Sequence, residues 1–547
     1  MLRMRSEELL DAGQPITSDS DQRVMEVQLL AEGHWKSSSC TLSFKRGIKT
    51  YPLPLQSVYL LTSEETSKLY QSAEGAVDDK VNPLVPFATY SASESSVCRV
   101  NINKMFGMHC AVLGSTGSGK SGTVAAILHS VLEHKHNNDF LSPQIIIIDP
   151  HGEYGQAFKH RGLLYRAYDV LADDKDEQIE INLPYWLMSS DELSNLIIGK
   201  TEFSATSQNN VVYKALSHAR MVAEGILKPC PSMFGTDEFN ELEDIDSPQL
   251  MDGHEITEVL SFDRDKPRPF SLDEFERHVR FIQAGRKNTK KIHETIPPSE
   301  YSKSSAASVL DKLKVLRKDS RLAFLMNNWK HDDDCLSKIL NQFVGVSPKA
   351  GKDIRIVDIS GLPNEVAGPL TAVIARLLFQ YKVYQKQSEK IKDPILLVCE
   401  EAHRYVPDKG EAQYFAAQNA IRRIAREGRK YGIGLMLVSQ RPADVDSTVI
   451  SQCGTWVVLR LTNSADQQHV ARFLPDGLSG MVSALSILSQ QEAIFVGEGA
   501  SIPSRIKIRD LEESKLPRSS TIPFAEGWAM PRLTATELDR ITKRMTS

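Results

Sequence analysis

Hydrophobic positions are distributed differently in successive parts of the chain. From residue 24 to about 100 they come in short runs, Val24–Leu30, Cys40–Phe44, Tyr51–Leu61 and Val97–Ile102, separated by Gly, Pro and Ser. Short runs closed by turn formers predict β segments, here a small barrel or sandwich with no catalytic constellation in it. Further on, continuous apolar runs alternate with helical stretches: Ala111–Leu113 before Val124–Leu132, then Ile145–Ile148, Ile354–Ile359 before Leu370–Gln385, Pro394–Cys399, Ile433–Val438 and Gly454–Leu461. Unbroken apolar strands are buried on both faces, and strands alternating with helices build a parallel sheet covered by helices. Between residues 189 and 345 the strand-like runs stop. Ser189-Ser-Asp-Glu-Leu opens a helix with a cap-like start, and Val211–Val222 and Ala306–Val315 have helical spacing. The pattern therefore predicts an α/β fold organised as 1–100 (β-barrel for assembly or docking), 101–188 (first part of the core), 189–345 (mostly helical insertion), 346–510 (second part of the core) and 511–547 (tail).

The strand ends carry the candidate chemistry. After Leu113 comes Gly114-Ser115-Thr116-Gly117-Ser118-Gly119-Lys120-Ser121-Gly122, followed at once by a helix. A strand, a glycine loop and a helix are the context of a phosphate-binding P-loop: glycines bring backbone N–H groups to phosphate oxygens, and the helix start adds its dipole. Lys120 would reach the β- and γ-phosphates and Ser121 would ligate Mg²⁺. The run Ile145–Ile148 ends in Asp149-Pro-His-Gly-Glu153, whose acids would hold a metal-bound water or simply stabilise a strand-end turn. Leu396-Leu-Val-Cys-Glu400-Glu401 ends in adjacent carboxylates, as a Walker B strand does. Glu400 is assigned to the metal and Glu401 to the attacking water as general base. Gln440 follows the next strand, where an amide senses a γ-phosphate or satisfies a turn. In the helix around Ile421, Arg422, Arg426 and Arg429 recur at helical spacing, forming either a plain basic face or an arginine finger for a neighbouring nucleotide.

Composition narrows the partners. The 547 residues, 41% hydrophobic and 25% charged, suffice for several domains with real cores. A net charge of −5 excludes a uniformly basic nucleic-acid binder, so DNA contact requires a local patch, concentrated by symmetry in an oligomer. Asp237–Asp246 is strongly acidic and Arg286–Lys291 basic, and both read as solvated loops. The seven cysteines (40, 98, 110, 230, 335, 399 and 453) are scattered without a C-x-x-C pair, which predicts buried thiols in a reducing compartment rather than disulfides or a zinc site. No apolar leader opens the chain and no run is long enough to span a membrane, so a cytoplasmic protein without membrane partners is expected.

Taken in order, Leu-Gly-Ser-Thr-Gly-Ser-Gly-Lys-Ser, Asp-Pro-His-Gly-Glu-Tyr, Glu-Glu-Ala-His-Arg-Tyr, Arg-Glu-Gly-Arg-Lys-Tyr-Gly and Ser-Gln-Arg-Pro resemble the motifs of the HerA-like ATPases, the HerA branch of the HerA/FtsK superfamily. Ser451-Gln-Cys-Gly-Thr, Leu459-Arg-Leu-Thr and Asp466-Gln extend the likeness, which runs from about residue 105 to 505. The resemblance implies a RecA-like P-loop NTPase core with an N-terminal β-barrel and a helical insertion. It further implies a homo-hexameric ring, ATP and Mg²⁺ between subunits, and DNA through the pore. It makes Arg426 the trans finger and Arg460 a nucleotide contact. Its partners would be NurA-type or restriction-like nucleases, or the sirtuin-like NAD-degrading effectors of antiphage systems. One departure is visible: the family's Walker B pair is usually Asp-Glu, and here it is Glu400-Glu401. A rival reading keeps the ring but makes it a nucleotide-gated scaffold. The loop from Pro407, with as much acid as base, supplies no clear pore element.

Overall fold

The computed structural model describes residues 29, 31–36, 41–53, 56–57, 59, 61–74, 81–167, 178–198, 203–230, 250–280, 303–326, 336–345, 352–408, 415–474, 478–518 and 524–546. The predicted strand Val24–Leu30 apart from Leu29, the charged runs Asp237–Asp246 and Arg286–Lys291, and most of the loop after Pro407 lie outside these residues.

Sixteen strands are described: β1 (Ala31–Lys36), β2 (Thr41–Arg46), β3 (Leu84–Tyr90), β4 (Ser93–Asn101), β5 (Cys110–Leu113), β6 (Lys135–His136), β7 (Asp139–Phe140), β8 (Gln144–Asp149), β9 (Gly162–Arg166), β10 (Gln178–Glu180), β11 (Ile354–Asp358), β12 (Ile395–Cys399), β13 (Ile433–Ser439), β14 (Thr455–Leu459), β15 (Glu492–Gly497) and β16 (Ser504–Ile508). Twelve of them form one sheet in the order β10-β9-β11-β8-β12-β13-β5-β14-β15-β16-β3-β4. From β10 to β14 every neighbouring pair is parallel. From β14 onward every pair is antiparallel.

Each central strand divides its apolar residues between two cores, as the two-residue period of a strand requires. Cys110, Val112, Ile145, Ile147, Leu396, Val398, Met436 and Val438 face one side, where the helix after the P-loop, α2 (Lys120–Glu133), lies against them through Val124–Leu132. Ala111, Leu113, Ile146, Ile148, Leu397, Cys399, Leu435 and Leu437 face the other. That second side is covered by α8 (Asn364–Tyr384) and α9 (Phe415–Tyr431) together with the helical insertion. Each fully buried Ile or Leu contributes about 1.5–3 kcal/mol, so continuous apolar runs stay inside a two-sided sheet.

The insertion contains α3 (Ser190–Ile198), α4 (Phe203–Ala223), α5 (Leu272–His278), α6 (Lys303–Lys318) and α7 (Leu336–Val344), and no named strand among the described residues 189–345. Val211, Leu216, Phe275, Val309, Leu313 and Phe343 share one continuous core with the sheet, so the insertion is packed onto the ATPase core.

Among the described residues the N-terminal part shows no closed barrel. Among the described residues β1 and β2 form a separate antiparallel hairpin, and those between 51 and 61 form no strand. A polar helix not anticipated from the pattern, α1 (Ser63–Glu74), follows. β3 and β4 extend the far edge of the central sheet through β16, because their apolar residues complete its core rather than one of their own. Tyr70 of α1 stacks on Tyr90 at 3.6 Å, and Glu74 pairs with Arg99 at 2.7 Å, tying the helix to that edge. The tail forms two exposed helices, Phe524–Ala529 and Ala535–Thr546. Cys98, Cys110, Cys230, Cys399 and Cys453 are buried and outside any disulfide, as expected. Among the described residues no helix is long and apolar enough to cross a membrane.

Candidate active site

Parallel strands bring all their carboxyl ends to one edge of the sheet, where ligands of α/β proteins collect. Here β5 delivers the P-loop, β8 Asp149, β12 Glu400 and Glu401, β13 Gln440, and β14 Arg460. Because β5 runs between β13 and β14, Gly114 N donates to the Ser439 carbonyl at 3.3 Å and Ser115 N to the Arg460 carbonyl at 2.8 Å. The loop is thus strung between two neighbouring strand ends.

Its glycines are there for geometric reasons. Gly117 and Gly119 have φ of +74° and +95°, the left-handed region where a side chain is strained. At Gly114 a Cβ would lie 2.5 Å from Ser118 Oγ and 2.9 Å from Leu459 Cβ. Lys120 opens α2, only 8% exposed, with Nζ donating to the Ser115 carbonyl at 3.3 Å. Burial pushes its pKa down, while the charges of Glu401, Glu400 and Glu153 push back.

The two adjacent acids have different surroundings. Glu400 is enclosed, and its Oε2 has no hydrogen-bond partner among the described residues. Burial first, then the charges of Glu401 and Asp149, push its pKa well up, with Lys120 opposing. Glu401 takes a left-handed backbone, φ +51°, so the chain turns sharply between the two side chains. Its Oε1 lies 3.6 Å from His151 Nε2 and its Oε2 3.2 Å from His403 Nδ1. Burial alone would raise the Glu401 pKa, but the His151 contact and the His403 and Lys120 charges together hold it below the ordinary value. One carboxyl is held low by the His151 contact and neighbouring positive charge, while the other lies enclosed near the Lys120 charge. His151 and His403 had no role in the sequence reading, although each stands two residues beyond a strand-end acid, Asp149 and Glu401.

Asp149 is fully buried at the end of β8. Its Oδ1 accepts from the backbone N–H of His151 (3.2 Å) and Gly152 (2.9 Å), and its Oδ2 from Tyr154 (2.9 Å). Both oxygens are thus engaged in shaping the turn that presents His151, the turn-stabilising role open to this acid. Burial raises its pKa to about 6 against those hydrogen bonds, with Asp358 adding to the rise.

Thr116 Oγ1 donates to Gln440 Oε1 at 2.6 Å, joining residues 324 positions apart. With Ser115, Arg441, Asn463 and Asp466 they line a cavity of about 590 Å³ beside the P-loop. Arg460 borders the loop through its carbonyl, while its Nε is buried without a hydrogen-bond partner among the described residues. These features fit a Mg²⁺–nucleotide: left-handed glycines, a buried ammonium, and enclosed Ser118 Oγ and Glu400 Oε2 with no hydrogen-bond partner among the described residues.

The arginines of α9 separate into different tasks. Arg422 Nε donates to Asp446 Oδ2 at 2.9 Å, joined there by Gln418 Nε2 at 2.8 Å. Asp446 Oδ1 caps the turn Ser447–Ile450 through Thr448 N and Val449 N. Arg423 lies over the Phe379 ring at 4.5 Å. Asp446→Ala removes this cap and partner at once. It is expected to cost about 1–3 kcal/mol, because half-exposed Arg422 can turn to water, and to appear as a lower unfolding temperature with ATP affinity unchanged. Arg426 and Arg429 are exposed, and Arg426 has no ion pair or hydrogen bond among the described residues. Since α9 must return to the amino edge to start β13, Arg426 lies away from its own P-loop and does not join the site within one chain.

This is the site of a RecA-like P-loop ATPase. The profile of the family described as "Helicase HerA, central domain" matches residues 88–378, more than half of the chain, and the protein belongs to that family. A probable helicase of Methanocaldococcus jannaschii is 23% identical over 467 residues, 84% of this chain and 75% of the relative. The DNA double-strand break repair helicase HerA of Sulfurisphaera tokodaii is 24% identical over 524 residues, 93% of this chain and 86% of that protein. Among solved structures, VirB4 of Thermoanaerobacter pseudethanolicus aligns over 80% of this chain and 100% of its own at 14% identity, with a TM-score of 0.47. Family membership makes the chain an ATP-hydrolysing enzyme of the helicase type.

Proposed function

We propose that six copies close into a ring that hydrolyses ATP between subunits and moves along DNA held in its pore. The observation carrying this reading is the convergence, at one strand edge, of the P-loop with two adjacent carboxyls in unlike environments. Gly114, Ser115, Thr116, Gly117, Ser118, Gly119 and Gly122 surround the phosphates, Lys120 pairs with the β- and γ-oxygens, and Ser121 and Glu400 hold Mg²⁺. When bound, that ion supplies positive charge to the β- and γ-phosphate oxygens. Glu401, whose pKa the His151 contact and nearby positive charge hold down, accepts the proton of the attacking water. Gln440, oriented by Thr116, positions that water or senses the γ-phosphate. Arg426 completes the neighbour's site.

The ring works with an effector, a nuclease of NurA or restriction type or a sirtuin-like NAD-degrading protein, docked on the N-terminal segment. Exposed Trp35, Tyr51, Leu53 and Tyr59 support a docking face there. Purified wild-type protein is expected to release phosphate from Mg-ATP, faster with DNA, whereas Lys120→Ala stays at background. Equal rates for the two, with and without DNA, would remove the enzymatic reading.

A further inference from the structure

Away from the nucleotide edge, three side chains of the helical insertion converge on one point. His218 on α4 places Nε2 2.9 Å from Glu274 Oε1 on α5 and 3.3 Å from the sulfur of Cys230. The ligand-capable atoms of all three lie within 4.8 Å of one another. We propose that His218, Cys230 and Glu274 form a binding site for a thiophilic divalent cation of the zinc type.

The arrangement differs from a catalytic proton relay. In a Cys–His–acid relay the thiol and the carboxylate occupy opposite ring nitrogens, so that a proton passes through the imidazole. Here both face the same nitrogen, Nε2, which has one lone pair or one hydrogen to offer. Three donor atoms gathered around a single point make the face of a coordination shell. With Zn–S near 2.3 Å and Zn–N and Zn–O near 2.0–2.1 Å, the edges of a tetrahedral shell are about 3.3–3.6 Å. Both the 3.3 Å sulfur–nitrogen edge and the 2.9 Å nitrogen–oxygen edge reach these lengths by opening a few tenths of an ångström on loading.

The rest of the pocket is built to hold these ligands. Glu274 and Cys230 are buried, and His218 is 15% exposed. Arg277 grips Glu274 Oε2 through Nε at 3.1 Å and a terminal nitrogen at 2.7 Å, and Oε1, turned toward the imidazole, also accepts from the Cys230 backbone N–H at 2.7 Å, which ties two of the ligands together. A ligating carboxylate whose other oxygen is fixed in this way keeps its orientation. One turn along α5 is His278, buried and stacked on His218 with centroids 4.3 Å apart, its Nδ1 without a hydrogen-bond partner among the described residues. It shares the α5 face of Glu274 and backs the His218 ring, while the three ligands leave the fourth position of the shell to water. On loading, the Cys230 thiol gives its proton to solvent and the sulfur binds as thiolate, so affinity rises with pH. The scattered cysteines hid the site because it needs only one of them, with its other ligands from positions 218 and 274.

Full-length protein purified without chelator is expected to hold about one zinc per chain by elemental analysis. Stripped and refilled with Co²⁺, it should show a thiolate-to-cobalt charge-transfer band. Cys230→Ser should lose both signals, Cys453→Ser should keep both, and Arg277→Gln should weaken cobalt affinity about 10–100-fold. Wild-type protein with zinc far below one per chain and no charge-transfer band overturns the proposal, a result that requires no variant to fold. Equal loss of both signals in the Cys453 variant would also overturn it.

Discussion

Glu401→Gln is expected to bind ATP and assemble like the wild type while hydrolysing it about 10²–10⁴-fold more slowly. The substitution keeps the side-chain volume and places no new demand on the left-handed backbone at φ +51°. The amide oxygen can still meet His151, so the loop from Asp149 to Tyr154 should hold its shape. What disappears is an ionised oxygen able to take a proton, in the one carboxyl of the pair that its neighbours keep ionised. Glu400→Gln should behave differently, because Glu400 is the enclosed acid assigned to the metal. There Mg²⁺-dependent nucleotide affinity should fall along with turnover. Phosphate release and binding of a fluorescent ATP analogue separate the two variants. The same Glu401 variant tests the scaffold alternative, since a ring that only needs nucleotide to assemble would retain its full biological effect.

What could be read in advance follows physical lines. The buried parallel strands were legible because Ile145–Ile148 or Leu435–Val438 can only lie between two apolar layers. The P-loop was legible because its backbone demands glycine at fixed spacing, as Gly114, Gly117 and Gly119 show. Strand order was not legible. Placing β5 between β13 and β14 joins Thr116 to Gln440 and Ser115 to Arg460, contacts across more than 300 residues that no local pattern encodes. α1 escaped because its twelve residues include none that are buried, so no apolar stripe marks it. An acid at a strand end serves equally as a ligand or a turn clamp, and the three backbone hydrogen bonds that make Asp149 a clamp are not written in the local pattern. His151 and His403 matter through their distance to Glu401, a relation between two loops.

The arginines of α9 carry the second large expected effect. Spacing alone puts Arg422, Arg426 and Arg429 on one face, but Arg422 is engaged with Asp446, which leaves Arg426 and Arg429 exposed, and of these two the family resemblance singles out Arg426. A residue remote from its own P-loop can touch the reacting phosphate only at a neighbour's site. Arg426→Ala should therefore leave ATP affinity nearly unchanged, because binding uses the subunit's own loop, and lower turnover about 10³–10⁵-fold. A purely structural arginine would instead change stability or assembly, which gel filtration and thermal unfolding would register. Mixed rings make the test sharper. When Arg426→Ala subunits are combined with Lys120→Ala subunits, neither of which turns over alone, each interface pairing an intact Lys120 with an intact neighbouring Arg426 should regain activity. The recovered rate should rise and fall with the mixing ratio, peaking near equal proportions. Independent sites would give no recovery at any ratio, and the arginine would then have to act, if at all, within its own chain.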